Sequence, residues 1–132
     1  MLEKKFRSNF IAELKKIGKE AFPIESATSP GFPDVVVAGF TISLFELKVV
    51  MTRASKTTVH DICEPTQRTF QRRWWTTQAA GLWLALYDEH DDVYQALQLA
   101  PLLLDKQLCA ITSYGIAGRG VAELVKNMKG VL

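Results

Sequence analysis

The chain has 132 residues, of which 48% are apolar, and this predicts a single domain large enough to bury one hydrophobic core. No stretch approaches the roughly 20 apolar residues of a membrane span, the N-terminus lacks a signal-peptide pattern, and two cysteines are too few for a disulfide scaffold, so we expect a soluble protein of a reducing, cytoplasmic compartment. The net charge of +2 says little by itself, but twelve of the sixteen basic residues lie in residues 1–87 against eight acidic ones, as expected if phosphate groups bind there.

Hydrophobic periodicity predicts a helix over residues 2–19, in which Phe6, Phe10 and Leu14 recur at helical spacing. Glu3 falls three residues before Phe6 and therefore projects from the same inward stripe. A short strand at 22–24 and a loop of small, turn-forming residues at 26–31 follow.

Two apolar strands are predicted over residues 34–38 and 40–50, joined by a tight turn. Side chains two apart on a strand point to the same face, so Glu46 and Lys48 interrupt an apolar row that begins at Phe40. Two charges in such a row cost several kcal/mol if they are buried without partners. Asp34 can supply a second carboxylate, and two carboxylates beside a lysine suit a hard divalent cation that acts on a phosphodiester. The alternative interpretation is an ordinary turn at Asp34 and an edge pair that faces water.

The second half of the chain predicts a further set of helices and strands. Residues 51–64 show no period and indicate a surface loop, and a helix follows over 65–80 with Pro65 in its first turn and Gly81 as its cap. The remaining predicted elements are a central strand at 82–87, an acidic turn at 88–92, a strand at 93–97, a short helical turn at 101–104, a last strand at 108–112, a flexible approach with glycines at 115, 118 and 120, and a helix at 120–128. This order predicts an α/β (α+β) fold with a mixed sheet of about five strands flanked by helices.

Pro33-Asp34 and Glu46-Leu47-Lys48 match the motif of the PD-(D/E)XK nucleases. With Gln67 opening a helix and an apolar strand after it, residues 3–97 resemble the VRR-NUC branch, and most of all its short stand-alone bacteriophage members. The resemblance implies a restriction-endonuclease-like core and a single nuclease domain over residues 1–132. It also implies a DNA endonuclease that depends on Mg²⁺, with Mn²⁺ as an alternative, and that acts inside a bacterial host cell.

The resemblance also assigns roles to individual residues. It implies that the metal is held by Asp34, Glu46 and the backbone carbonyl of Leu47, together with a glutamate of the first helix. That glutamate matches Glu3 best, with Glu13 and Glu20 as rivals. Lys48 would orient or deprotonate the attacking water or stabilise the charge on phosphorus, and Gln67 would lie beside the scissile phosphate. The implied catalytic set is Asp34, Glu46, Lys48, Gln67 and Glu3.

Basic side chains near this set are candidates for DNA binding because arginines that contact phosphates position a backbone without reading its sequence. On the helix at 65–80 the candidates are Arg68, Arg72 and Arg73, and Arg53 and Lys56 in the preceding loop are weaker ones. The alternative is a solvated basic face over core-packed Phe70 and Trp74.

Branched DNA, above all the four-way (Holliday) junction, is the substrate that the small phage relatives imply. Two symmetric nicks need two active sites, so this substrate implies a homodimer. The apolar segment Leu99–Leu104 is the candidate dimer surface, and the alternative is that this segment belongs to the hydrophobic core. The alternatives are a nicking, homing or restriction-type endonuclease on duplex DNA, and a non-catalytic DNA-binding module on the same fold.

Overall fold

Helices flank both faces of one sheet in the computed structural model. The structure describes residues 3–24, 31–50, 58, 62–77, 81–99 and 115–132, without the side chains of residues 75–77. In chain order the elements are α1 (Glu3–Lys16), β1 (Glu20–Pro23), β2 (Val35–Ala38), β3 (Ile42–Val50), α2 (Pro65–Thr77), β4 (Gly81–Asp88), β5 (Val93–Gln98), β6 (Ile116–Gly118), α3 (Val121–Met128) and a 3₁₀ turn (Lys129–Val131). No helix among these described residues is long and apolar enough to cross a membrane.

The sheet has six strands in sequence order, and every neighbouring pair is antiparallel except β3 and β4, which run parallel. A parallel pair needs a crossover connection, and the segment that contains α2 makes it. β3 and β4 therefore lie in the middle of the sheet and are buried on both faces, which explains their nearly continuous apolar sequences. The predicted central position of the strand at 82–87 is confirmed.

Two apolar clusters lie on opposite faces of the sheet. On one face, α1 and α3 pack against the sheet, and the ring of Phe10 meets that of Phe45 edge-on at 5.1 Å between centroids. On the other face, Phe70 and Trp74 of α2 cover a row of leucines from β3, β4 and β5. Alternate residues of β3 enter alternate clusters, so the face of any residue on this strand follows from its position.

Several predicted boundaries shift for local reasons. α1 ends before residue 19 because Gly18 adopts a φ of +83°, and the N–H of Lys19 donates to the carbonyl of Leu14 in the manner of a Schellman cap. Phe40 does not join β3: it lies in the turn between β2 and β3 and is 94% exposed, so its predicted place in the apolar row is wrong. Gly81, predicted as the cap of α2, is the first residue of β4.

The sixth strand, β6, lies where the sequence predicted a flexible approach to the last helix. Its three residues are too short to show a strand pattern, and it is held by antiparallel pairing with β5. Gly118 ends β6 against the backbone of α3, where an added Cβ would collide with the amide nitrogen of Leu124. The predicted elements at 101–104 and 108–112 lie outside the described residues.

Candidate active site

Asp34 lies directly before β2 and is fixed by hydrogen bonds to β3. Its own N–H donates to the carbonyl of Phe45 at 2.9 Å, and its Oδ2 accepts the N–H of Leu47 at 2.9 Å. The ladder between β2 and β3 ends at the Val35–Phe45 pair. The carboxylate of Asp34 thus takes a backbone donor of β3 just beyond that ladder, which holds it beside the middle of this long strand.

Glu46 and Lys48 lie on the α2 face of β3, as the two-residue period predicted. Glu46 is only 3% exposed and Lys48 only 9%, and the Nζ of Lys48 is 3.9 Å from Oε1 of Glu46. The alternative of an edge pair that faces water is wrong, because β3 is an interior strand. A buried pair of this kind is costly to desolvate, so it is weak evidence for stability and better evidence for a function.

The carboxyl group of Glu46 is also next to that of Asp34. Burial, then the negative charge of Asp34 and a hydrogen bond between the two carboxyl groups, raise the pKa of Glu46 to about 9, although Lys48 opposes the shift. At neutral pH the metal-free pair therefore holds a proton. The two carboxylates repel each other when both are charged, and a hard divalent cation bound by their oxygens would compensate this repulsion.

We expect the metal-free protein to lose stability as the pH rises from about 4.5 towards 9. The folded state binds the proton of Glu46 more tightly than the unfolded state, in which the pKa of Glu46 returns to about 4.5. Protonation of Glu46 therefore stabilises the fold fully below pH 4.5, and this stabilisation is lost as the pH rises past 9. Urea denaturation in EDTA at pH 5 and pH 8 measures this, with Glu46→Gln as the matched control. Relative to the wild type, Glu46→Gln should have a higher free energy of unfolding at pH 8 than at pH 5. An equal difference between the two proteins at both pH values would contradict the raised pKa of Glu46.

Gln67 contacts the same carboxylate from α2. Its Oε1 accepts the N–H of Glu64 at 2.8 Å, and its Nε2 donates to Oε1 of Glu46 at 2.8 Å. Glu64 precedes Pro65, the first residue of the helix, so Gln67 occupies the third helical position and completes one half of a capping box. Because the oxygen of the Gln67 amide is held by the helix cap, its nitrogen faces Glu46. Gln67 thus lies beside the carboxylate pair, where it was predicted.

Glu3 lines a cavity of about 190 Å³ together with Asp34, Leu47, Lys4 and Arg7. The two rival glutamates lie elsewhere: Glu13 pairs with Lys16 at 3.0 Å, and Glu20 lies on β1 opposite Ala38, at the far end of β2 from Asp34. Of the three candidates, Glu3 is thus the one beside Asp34.

Glu3 nevertheless interacts only weakly with Glu46 of the carboxylate pair. Its charge has the smallest of the five effects on the pKa of Glu46. Within the described part of the chain, no three His, Cys, Asp or Glu side chains are close enough together to hold a metal ion. The roles of Glu3 and of the Leu47 carbonyl as metal ligands therefore stay predictions.

The predicted DNA-binding arginines of α2 differ in their surroundings. Arg68 is half-buried, whereas Arg72 and Arg73 are exposed, and Arg73 borders a groove of about 280 Å³ with Phe70 and Thr66. The aromatic residues Phe70 and Trp74 are partly buried, stack at 5.4 Å and pack against the apolar cluster on this face of the sheet, while the role of the arginines in DNA binding stays a prediction. Arg53 and Lys56 lie outside the described residues.

Sequence reasoning missed two groups at the site. Arg7 and Lys4 line the cavity, and the signal that could have found Arg7 is its spacing of four residues from Glu3, which places the two on one side of a helix. Cys63 is buried behind the site, where Gln71 donates to its sulfur at 3.5 Å and burial raises the pKa of its thiol. Nothing in the sequence distinguished this cysteine from any small core residue.

Comparison with known proteins gives a fold and no family. No family model matches the chain, and no curated protein matches it. Among solved structures the chain is similar to Hjc, a Holliday junction resolvase from the archaeal hyperthermophile Archaeoglobus fulgidus, with a TM-score of 0.51 and 16% sequence identity, over 83% of this chain and 98% of that one. The predicted fold class is confirmed: a restriction-endonuclease-like mixed sheet, here of six strands, with helices on its faces.

Proposed function

We propose that this chain is a metal-dependent DNA endonuclease of the PD-(D/E)XK type that hydrolyses phosphodiester bonds in branched DNA. The observation that carries the proposal is the carboxylate pair of half-buried Asp34 and buried Glu46, with buried Lys48 beside Glu46. A non-catalytic binding module has no need to keep such a costly cluster on an interior strand. The similarity in fold to a Holliday junction resolvase supports the same choice.

The residues at the site fit a hard divalent cation. Asp34, Glu46 and the carbonyl of Leu47 would hold Mg²⁺ or Mn²⁺, with Glu3 next to them. When bound, the cation lowers the pKa of a coordinated water and neutralises charge that develops on phosphorus. The protein contributes the fixed positions: the Leu47 N–H holds Asp34, and the amide of Gln67 holds Glu46.

Lys48 is the residue we assign to the attacking water or to the charge on phosphorus. It lies two residues from Glu46 on the same buried face, so its ammonium reaches the region in front of the two carboxylates. Burial strengthens the effect of this single charge because the surroundings have a low dielectric constant.

Four-way junctions are the substrate that we propose within the branched class. Recognition of a specific duplex sequence usually needs an element that reads bases in the major groove, whereas the solved structure that this chain resembles in fold is a Holliday junction resolvase. The arginines of α2 would bind backbone phosphates instead. Resolution of a junction takes two symmetric nicks, so we propose a homodimer. We also propose that the chain is a stand-alone phage member of the VRR-NUC branch.

A comparison of substrates tests the proposed choice. The wild-type protein is incubated with Mg²⁺ and with labelled four-way junction, linear duplex or single strand of the same sequence. Symmetric nicks in the junction in preference to the duplex are the expected result. Preferential cutting of the duplex would replace the substrate with that of a nicking, homing or restriction-type enzyme, and no cutting with either Mg²⁺ or Mn²⁺ would favour a binding module.

Gln67→Glu should slow cleavage more than Gln67→Ala. The glutamate can still accept the N–H of Glu64, but it replaces a donor to Glu46 with a third carboxylate at the same place. Loss of a hydrogen bond to a charged group costs about 1.5–3 kcal/mol, so we expect roughly a 10- to 100-fold lower rate for Gln67→Glu. Single-turnover rates and thermal melting of both variants measure this, and a fully active Gln67→Glu would show that the contact does not matter.

A further inference from the structure

The cavity beside the carboxylate pair has a basic side formed by the first turns of α1. Arg7 lies four residues after Glu3, one turn along the helix, and both side chains line the cavity of about 190 Å³ with Asp34. A cavity of this size has room for several water molecules, and so for a phosphate group with part of its hydration. Arg7 is half-buried and is one of the residues that line this cavity.

The guanidinium of Arg7 has no ion-pair or hydrogen-bond partner among the described residues. The contrast with the other end of α1 is informative, because Lys16, which is far more exposed, pairs with Glu13 at 3.0 Å. Arg7 shares a cavity with two carboxylates and pairs with neither, which leaves its five N–H donors available to an anion from outside.

From these contacts we infer that Arg7 binds a phosphate group of the substrate next to the scissile one. The inference rests on the proposed function and adds to it a substrate contact on α1. A guanidinium suits this role because it binds phosphate oxygens bidentately, and Lys4 on the same wall adds a second positive charge. The arginines of α2 approach from the other face of the sheet, so the DNA backbone would be held from both sides of the carboxylate pair.

Arg7→Gln, Arg7→Lys and Lys5→Ala test the inference in the full-length protein. Lys5 is the matched control because it lies on the same turn of α1 and is exposed, but does not line the cavity. Affinity for a labelled four-way junction is measured with Asp34→Asn in each chain to prevent cleavage, over a series of salt concentrations. We expect Arg7→Gln to weaken binding by about tenfold and to reduce the salt dependence by about one phosphate contact. Arg7→Lys should recover part of the loss, and Lys5→Ala should change affinity by less than about twofold.

Cleavage by the wild-type protein separates the two proposals. If the wild type cuts the junction and Arg7→Gln binds and cuts like Lys5→Ala, the contact assigned to Arg7 is wrong and the proposed function stands. If the wild type cuts no DNA, the proposed function fails, and the difference in affinity between Arg7→Gln and Lys5→Ala still decides whether Arg7 binds phosphate. Thermal melting checks that each variant is folded. If Arg7→Gln does not fold, a partial loss of affinity in Arg7→Lys that is absent from Lys5→Ala supports the inference, and equal affinity of these two variants overturns it.

Discussion

Asp34→Asn is expected to reduce cleavage of a four-way junction by at least about 1,000-fold, or about 4 kcal/mol of transition-state stabilisation. The asparagine keeps an oxygen that can accept the N–H of Leu47, so the local structure should survive. It removes the charge that a divalent cation needs beside Glu46. DNA binding should be retained or become tighter, because repulsion between the site and the phosphates falls.

Single-turnover cleavage and equilibrium binding, measured side by side, test this variant. Glu13→Gln removes the same charge from the C-terminal end of α1, where Glu13 pairs with Lys16, and should leave the rate within about twofold of the wild type. Metal-dependent cleavage by Asp34→Asn at a rate close to that of the wild type would contradict the assignment of Asp34 as a metal ligand.

Lys48→Met should slow cleavage by roughly 100- to 1,000-fold, the usual effect of removing one buried group that stabilises transition-state charge. Methionine fills nearly the same volume on the α2 face, so the sheet should stay intact. Lys48→Arg should not restore the rate, because a planar guanidinium replaces a compact ammonium in a position that is only 9% exposed.

The measurement for Lys48 is the rate at saturating DNA, with junction affinity as a separate readout. A residue that acts on the chemical step should lower the rate and leave affinity nearly unchanged. Full activity of Lys48→Met, or a loss confined to affinity, would move Lys48 from the chemistry to DNA binding.

The positions of Glu46 and Lys48 could be predicted because they depend on a local rule. Side chains alternate along a strand, and the apolar residues around the two charges indicate that the strand is buried. The fold class followed in the same way from the order of elements. Asp34 was predictable from its place directly before Val35, at the start of a strand that pairs with its neighbour in the chain.

Other features depend on distant contacts that no local pattern encodes. β6 exists because β5 offers an edge to three residues that would not form a strand alone. Arg7 lines the cavity because α1 packs on the sheet beside Asp34, and the spacing of four residues between Glu3 and Arg7 would equally suit a solvated helix face. Gln67 was expected beside the phosphate, whereas its hydrogen bonds show an amide held by the helix cap and directed at Glu46.

The affinity of the protein for Mn²⁺ tests the central claim, a divalent-cation site at Asp34 and Glu46, without reference to any substrate. Calorimetric titration of metal-free wild type, Asp34→Asn, Glu46→Gln and the Lys5→Ala control gives the four affinities. We predict that wild type and Lys5→Ala bind alike and that each carboxylate variant binds at least about tenfold more weakly. Equal affinity in all four proteins would contradict the claim that these two carboxylates hold the metal.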